Sequence, residues 1–176
     1  NNVCIWQVMS AMNFLSGLER ENLWRKMNLR NEYTDNKRIG TLGHSYGGNT
    51  VFFLSALDER ISFSCASGSA CTFENRMINN AGIEMASVIP NFHGKYDIYD
   101  LVSCIAPRRL LIVSSDDDKC SKDASYIVEK ASPINEEYNA LHNLKHKRYQ
   151  GGPALTKERF DDIINWLVEN SQILEH

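Results

Sequence analysis

The sequence predicts an α/β fold in which a partial parallel sheet of about four strands is flanked by helices. Three observations carry the prediction. Short apolar runs alternate with stretches of helical periodicity four times along the chain, the pattern of a parallel sheet with crossover helices. One run, Arg109-Leu110-Leu111-Ile112-Val113-Ser114, is apolar without alternation, as strands buried on both faces are. The third is a glycine-rich reversal, Gly43-His44-Ser45-Tyr46-Gly47, set between an apolar run and a helical stretch. With 176 residues, 43% hydrophobic, the chain has the length of one domain, and residues 1–176 are expected to form a single, partial one.

Ile5, Val8, Met9, Met12 and Leu15 recur at helical spacing, which predicts an amphipathic helix over 3–16. Residues 17–36 are charged and irregular, a short helix or an excursion loop. Lys37 to Gly43 reads as a strand, and 49–57, with Val51, Phe52 and Leu54, as a buried helix. Ile61 to Ala66 is the second strand, ended by Ser67-Gly68-Ser69. The irregular segment that follows, through Asn91, is expected to hold a short helix or two. Ile98 to Ile105 reads as a helix stopped by Pro107. After the strand at 109–114, 121–131 is predicted helical and 143–149 a strand. Thr156 opens a last helix, with Phe160, Ile163, Ile164, Leu167 and Val168 expected on its buried face.

The formal net charge of −3 and a pI near 6.0 give no reason to expect nucleic acid or an anionic membrane as partner. The basic residues Lys145, Lys147 and Arg148 alternate with other positions and read as a solvated strand face. Five cysteines, Cys4, Cys65, Cys71, Cys104 and Cys120, form no C-x-x-C pair, and their odd number fits a reducing compartment and core positions. No run reaches the length of a membrane span, and the N-terminus lacks the basic region and cleavage site of a signal peptide. A cytoplasmic location is the expectation. No H-E-x-x-H or Cys/His cluster calls for a metal, and no cofactor is expected.

G-x-S-x-G alone arises by chance in roughly one sequence in twenty of this length. Placed directly between a strand and a helix it gains a physical meaning. So tight a reversal forces the serine into strained backbone geometry and projects its hydroxyl above the sheet, at the positive end of the helix.

Asp35-Asn36-Lys37-Arg38-Ile39-Gly40-Thr41-Leu42-Gly43-His44-Ser45-Tyr46-Gly47-Gly48 resembles the nucleophile region of α/β-hydrolases of the dienelactone hydrolase, acetyl xylan esterase and prolyl oligopeptidase clade. Leu57-Asp58-Glu59-Arg60-Ile61 resembles the start of their next strand, and Ile105-Ala106-Pro107-Arg108-Arg109-Leu110-Leu111-Ile112-Val113 the stretch before their acid-bearing loop. The resemblance implies the three-layer α/β-hydrolase fold with Ser45 as nucleophile and the backbone N–H of Tyr46 in the oxyanion hole. It also implies a carboxylate after the 110–114 strand to orient an imidazole. Asp118 stands where the family's acid usually lies, with Asp116 and Asp117 as alternatives.

The same resemblance places a histidine in the loop before the final helix, commonly after Gly-Gly. Here the loop reads Gly151-Gly152-Pro153, and proline accepts no proton. His44 occupies a slot that is often histidine in the resembling proteins without being the base. His142 and His146 precede or lie within the last strand, and His93 lies between the second and third; His146 and His93 are the better placed substitutes. Few residues precede the nucleophile strand, which implies that the N-terminal strands are missing, together with one oxyanion donor. A C-terminal portion of a longer hydrolase is the simpler explanation. A shortened protein that pairs the open edge of strand 37–43 with a second copy is the other. The function implied is a serine hydrolase acting on short acyl carboxylic esters, impaired at Pro153. A hydrolase-fold binding module without catalysis and a serine peptidase of the same fold are the alternatives.

Overall fold

The computed structural model describes residues 39–82 and 94–172. The helix expected over 3–16, the stretch 17–36, Lys37 and Arg38 at the head of the first strand, and His93 lie outside the described residues. Four strands, β1 (Ile39–His44), β2 (Ile61–Ser67), β3 (Arg109–Ser115) and β4 (Leu144–Tyr149), form one sheet in the order β1-β2-β3-β4. All three pairings are parallel. The connections are α1 (Tyr46–Leu57), then α2 (Phe73–Ile78) and α3 (Ile98–Ile105), then α4 (Ala124–Glu137); α5 (Lys157–Gln172) closes the chain. Because every strand runs the same way, the residues after each strand gather at one edge of the sheet.

The two sheet faces are covered differently. Against one, Val51, Phe52 and Phe53 of α1, Ile98, Leu101 and Val102 of α3 and Ala124 and Ile127 of α4 pack on Ala66, Leu110 and Ile112. On the other, Ile163 and Trp166 of α5 cover Phe63, Cys65, Leu111 and Val113. This is the three-layer arrangement the sequence predicts. An irregularity in the β1–β2 register, Ile39 opposite Ile61 but Gly40 opposite Phe63, lets Ile61 pack with Leu54 of α1 while Phe63 and Cys65 turn to α5. Gly40 has no side chain because the Phe63 ring fills its space: a β-carbon there would fall 2.2 Å from the ring. The outer edge of β1 has no neighbouring strand among the described residues.

Two expectations about helices are corrected. The helix predicted to end at Ala131 runs on to Glu137 through Pro133. Proline there removes one N–H and frees one carbonyl, while Ser132 Oγ donates to Val128 O at 2.7 Å, and Asn135 Nδ2 donates to Ala131 O. Its start moves from 121 to Ala124 because Ser121 is drawn into the preceding loop, where its hydroxyl donates to Asp118. On α5 the buried face is Arg159, Ile163, Trp166 and Asn170. Phe160 and Val168, expected inside, are 44% and 49% exposed, and Ile164 is exposed as well. Periodicity located the helix, but two polar residues were taken inward: Arg159 to bind the loop before α5, and Asn170 to donate to Trp166 O.

Candidate active site

The first feature at the C-terminal edge of the sheet is the turn between β1 and α1. Ser45 has φ 54° and ψ −117°, a conformation sparsely populated by residues with a β-carbon. It is held there by its N–H, which donates to Ser67 O at 2.8 Å, and by its carbonyl, which accepts from Gly48 N and Asn49 N as α1 begins. As the residue capping α1 it makes no side-chain cap bond, and it is exposed. The hydroxyl therefore stands above the sheet edge beside the first N–H groups of α1, at the positive end of the helix.

The glycines around it divide the steric load unequally. A β-carbon on Gly43 would meet Gly47 O at 2.1 Å, and one on Gly48 would meet Ser69 Oγ at 2.2 Å. At Gly47, the last residue of the motif, nothing among the described residues lies within 4 Å of a β-carbon. The close approaches that demand glycine are thus at 43 and 48.

Of the three adjacent aspartates, only Asp118 is buried, at 4% exposure. Its Oδ1 accepts from Cys120 N at 2.9 Å and its Oδ2 from Ser121 Oγ at 2.6 Å. The hydroxyl of Ser121 in turn accepts from Ser115 N at 3.3 Å. Asp116 is exposed and pairs with Arg148 Nε at 2.5 Å; Asp117 is exposed, and its N–H donates to Gly151 O at 3.0 Å. Ser121 was not singled out from the sequence, although Asp-x-x-Ser is a pattern in which a carboxylate captures the next turn's donors.

The β2–α2 loop brings β1 and the Asp118 loop together. Gly68, at φ +62°, is flanked by His44 and Asp118: a β-carbon there would lie 3.1 Å from His44 Cε1 and 3.4 Å from Asp118 Oδ2. His44 Nδ1 lies 3.0 Å from Ser67 Oγ, so its ring is turned along β2.

The loop carrying Pro153 joins the same cluster. Ser115 Oγ donates to Gly152 O at 2.9 Å, and Asp117 N to Gly151 O. Arg159, 5% exposed, donates to Gly152 O and Ala154 O through Nη1 and to Gln150 O through Nη2, each at 2.8 Å. The backbone of this loop is fixed beside the Asp118 loop, and Pro153 stands exposed on it. No sequence signal pointed to Arg159, because its role depends on carbonyls that meet only in the folded chain.

The other described histidines lie elsewhere. His146 sits in β4 opposite Ile112, three residues before the strand's end and so about 10 Å from the sheet edge. One ring nitrogen, Nε2, is 2.7 Å from Ser114 Oγ. Burial, and then the charge of Arg148, lowers its pKa from the usual histidine value. His142 is exposed in the turn Leu141–Asn143 before β4, at the opposite end of the sheet. Among the described residues no group of three or more His, Cys, Asp or Glu side chains could hold a metal ion. No helix among them is long and apolar enough to cross a membrane.

A parallel sheet with helices on both faces, and a strained serine between strand and helix at its C-terminal edge, defines an α/β-hydrolase fold. The chain belongs to the prolyl oligopeptidase family, whose model matches residues 21–173. Its structure is similar to a glucuronoyl esterase from Solibacter usitatus, with a TM-score of 0.72 at 15% identity, over 96% of this chain and 48% of that one. It is also similar to the methylesterase BT1017, TM-score 0.67 and 21% identity over 92% and 34% of the two chains. A third similar structure is a glucuronoyl esterase from Sporotrichum thermophile, TM-score 0.60 and 20% identity over 76% and 43%. The chain spans about half or less of the length of these solved structures, and at such identities the likeness is one of fold. No curated protein sequence matches it.

Proposed function

We propose that this chain carries the nucleophile and acid portion of a serine hydrolase acting on carboxylic esters with short acyl groups. The observation that supports this reading most is the backbone of Ser45, φ 54° and ψ −117°, at the start of α1. In this reading Ser45 Oγ attacks the ester carbonyl and the Tyr46 N–H donates to the developing oxyanion. Asp118, its oxygens already oriented by Cys120 N and Ser121 Oγ, is the carboxylate that would steady an imidazolium. The esterase names of the similar structures favour an ester substrate, while the peptidase name of the family model keeps an amide substrate as the alternative.

Pro153 stands at the base position and impairs the reaction. Without a proton acceptor beside it, Ser45 remains a neutral alcohol, and loss of the base from such a triad costs about 10⁶ in kcat. Pro153 also favours a second reading, a hydrolase-fold module that binds without catalysis.

A fluorophosphonate probe separates the two readings. Under the first, the full-length protein is labelled slowly, Ser45→Ala abolishes labelling, and Pro153→His raises the labelling rate and p-nitrophenyl acetate hydrolysis by at least 10²-fold. A folded protein that stays unlabelled, with or without Pro153→His, overturns it.

A further inference from the structure

The loop that holds Asp118 meets the loop leaving β2 through contacts that bracket two cysteines. Cys71 Sγ donates to Lys119 O at 3.4 Å. One residue on from Cys71 and four on from Lys119, Thr72 N donates to both carboxylate oxygens of Asp123 at 3.2 Å, and Thr72 Oγ1 to Oδ2 at 2.5 Å. Residues 71–72 therefore lie directly against 119–123. Lys119 O belongs to the peptide that leads into Cys120, so standard peptide dimensions put the Cys120 Cα within about 6 Å of the Cys71 sulfur. A disulfide needs the two β-carbons at about 3.8 Å and the two Cα atoms within about 7 Å. Both cysteines are present as thiols.

We propose that Cys71 and Cys120 are an oxidisable pair, joined by a two-electron oxidant such as hydrogen peroxide into a disulfide that ties the Asp118 loop to the loop after β2. Cys120 is partly exposed and Cys71 fully buried, so peroxide reaches Cys120 first. Its thiolate attacks one peroxide oxygen, the O–O bond breaks, and hydroxide leaves to become water, giving a sulfenic acid. The Cys71 sulfur then attacks the sulfenic sulfur. The S–S bond forms, the S–O bond breaks, and the departing hydroxide takes the Cys71 proton as a second water. Two thiols lose two electrons, and one peroxide becomes two waters.

The other described thiols are less suited to this step. Cys65 lies within β2 and faces α5 on the far side of the sheet core, and Cys104 is exposed on α3. Burial pushes the pKa of Cys71 up, with the Asp123 carboxylate adding to the effect, which makes it the slower, resolving partner. Because the Cys120 N–H donates to Asp118 Oδ1, the link would hold that carboxylate's loop whether or not Ser45 reacts.

The test is peroxide treatment of the full chain, alkylation of the remaining thiols, and non-reducing tryptic mapping. Peptide 61–76 joined to 120–122 is expected, with fragmentation assigning the sulfur to Cys71 rather than Cys65. The joined peptide should disappear in Cys120→Ser and persist in Cys104→Ser. Since Cys71→Ser disturbs the core, Cys120→Ser with its unchanged circular dichroism carries the control. The proposal is overturned if Cys120 is recovered as sulfinic or sulfonic acid, or joined to Cys104 of a second chain, while Cys71 alkylates fully after unfolding.

Discussion

Replacing Ser45 by glycine should make the protein more stable, and replacing it by alanine should not. Ser45 sits at φ 54°, ψ −117°, where the β-carbon of an L-residue crowds the backbone; holding a residue in such a region costs about 1–3 kcal/mol. Glycine has no β-carbon, and for it this conformation mirrors the ordinary extended region. Against the relief stands glycine's larger loss of chain entropy, about 0.5–1 kcal/mol. Taken at mid-range, the net expectation is a gain of about 1.2 kcal/mol. Alanine keeps the β-carbon and hence the strain, and the hydroxyl it removes makes no cap bond; its effect should stay within about 0.5 kcal/mol. With a urea m-value of about 2–3 kcal/mol/M for a protein of this size, Ser45→Gly should raise the midpoint by about 0.4–0.6 M above that of Ser45→Ala. The comparison cancels the loss of the hydroxyl common to both. A glycine variant no more stable than the alanine variant would refute the strain argument, and with it the claim that the fold pays for the position of this hydroxyl.

Three further outcomes follow from the same geometry. Gly43→Ala places a β-carbon 2.1 Å from Gly47 O, a backbone atom that cannot yield; it should cost at least about 3 kcal/mol, and Gly47→Ala, which meets nothing among the described residues, about 1 kcal/mol or less, both read by urea titration. Arg159→Met leaves the carbonyls of Gln150, Gly152 and Ala154 without their shared donor and should cost about 2–3 kcal/mol, with faster amide exchange in 150–154 as its local signature. His146 has a lowered pKa, chiefly from burial, so below the unfolded-state value near 6.5 the unfolded chain takes up a proton that the folded chain resists. Its contribution is present above that pH and is lost as pH falls toward the folded-state pKa; His146→Gln should flatten the decline in urea midpoint between pH 7.5 and 5.5, and an unchanged slope would contradict the burial argument.

The sequence was most informative where a signal is local. The apolar run 109–114 and the stop at Pro107 each act within a few residues, and β3 begins and α3 ends where those signals lie. The turn at Gly43–Gly47 was equally legible, since the reversal and the strain at Ser45 arise from neighbouring bonds. By itself, then, the sequence determined the parallel α/β architecture, its four described strands and the family. What the tertiary structure decided were choices among equivalent neighbours. The resemblance favoured Asp118 over Asp116 and Asp117, but its burial was not readable in sequence: it comes from Ser121 and Gly68, which close around it in the fold. On α5 an arginine faces inward while Phe160 and Val168 face out, because three carbonyls of a separate loop needed a donor. Cys71 and the Lys119 carbonyl next to Cys120 were unrelated in sequence and come together only through the loops that the parallel sheet gathers at one edge. Local rules fix where chain segments bend and pair, whereas burial and charge satisfaction belong to the assembled surfaces.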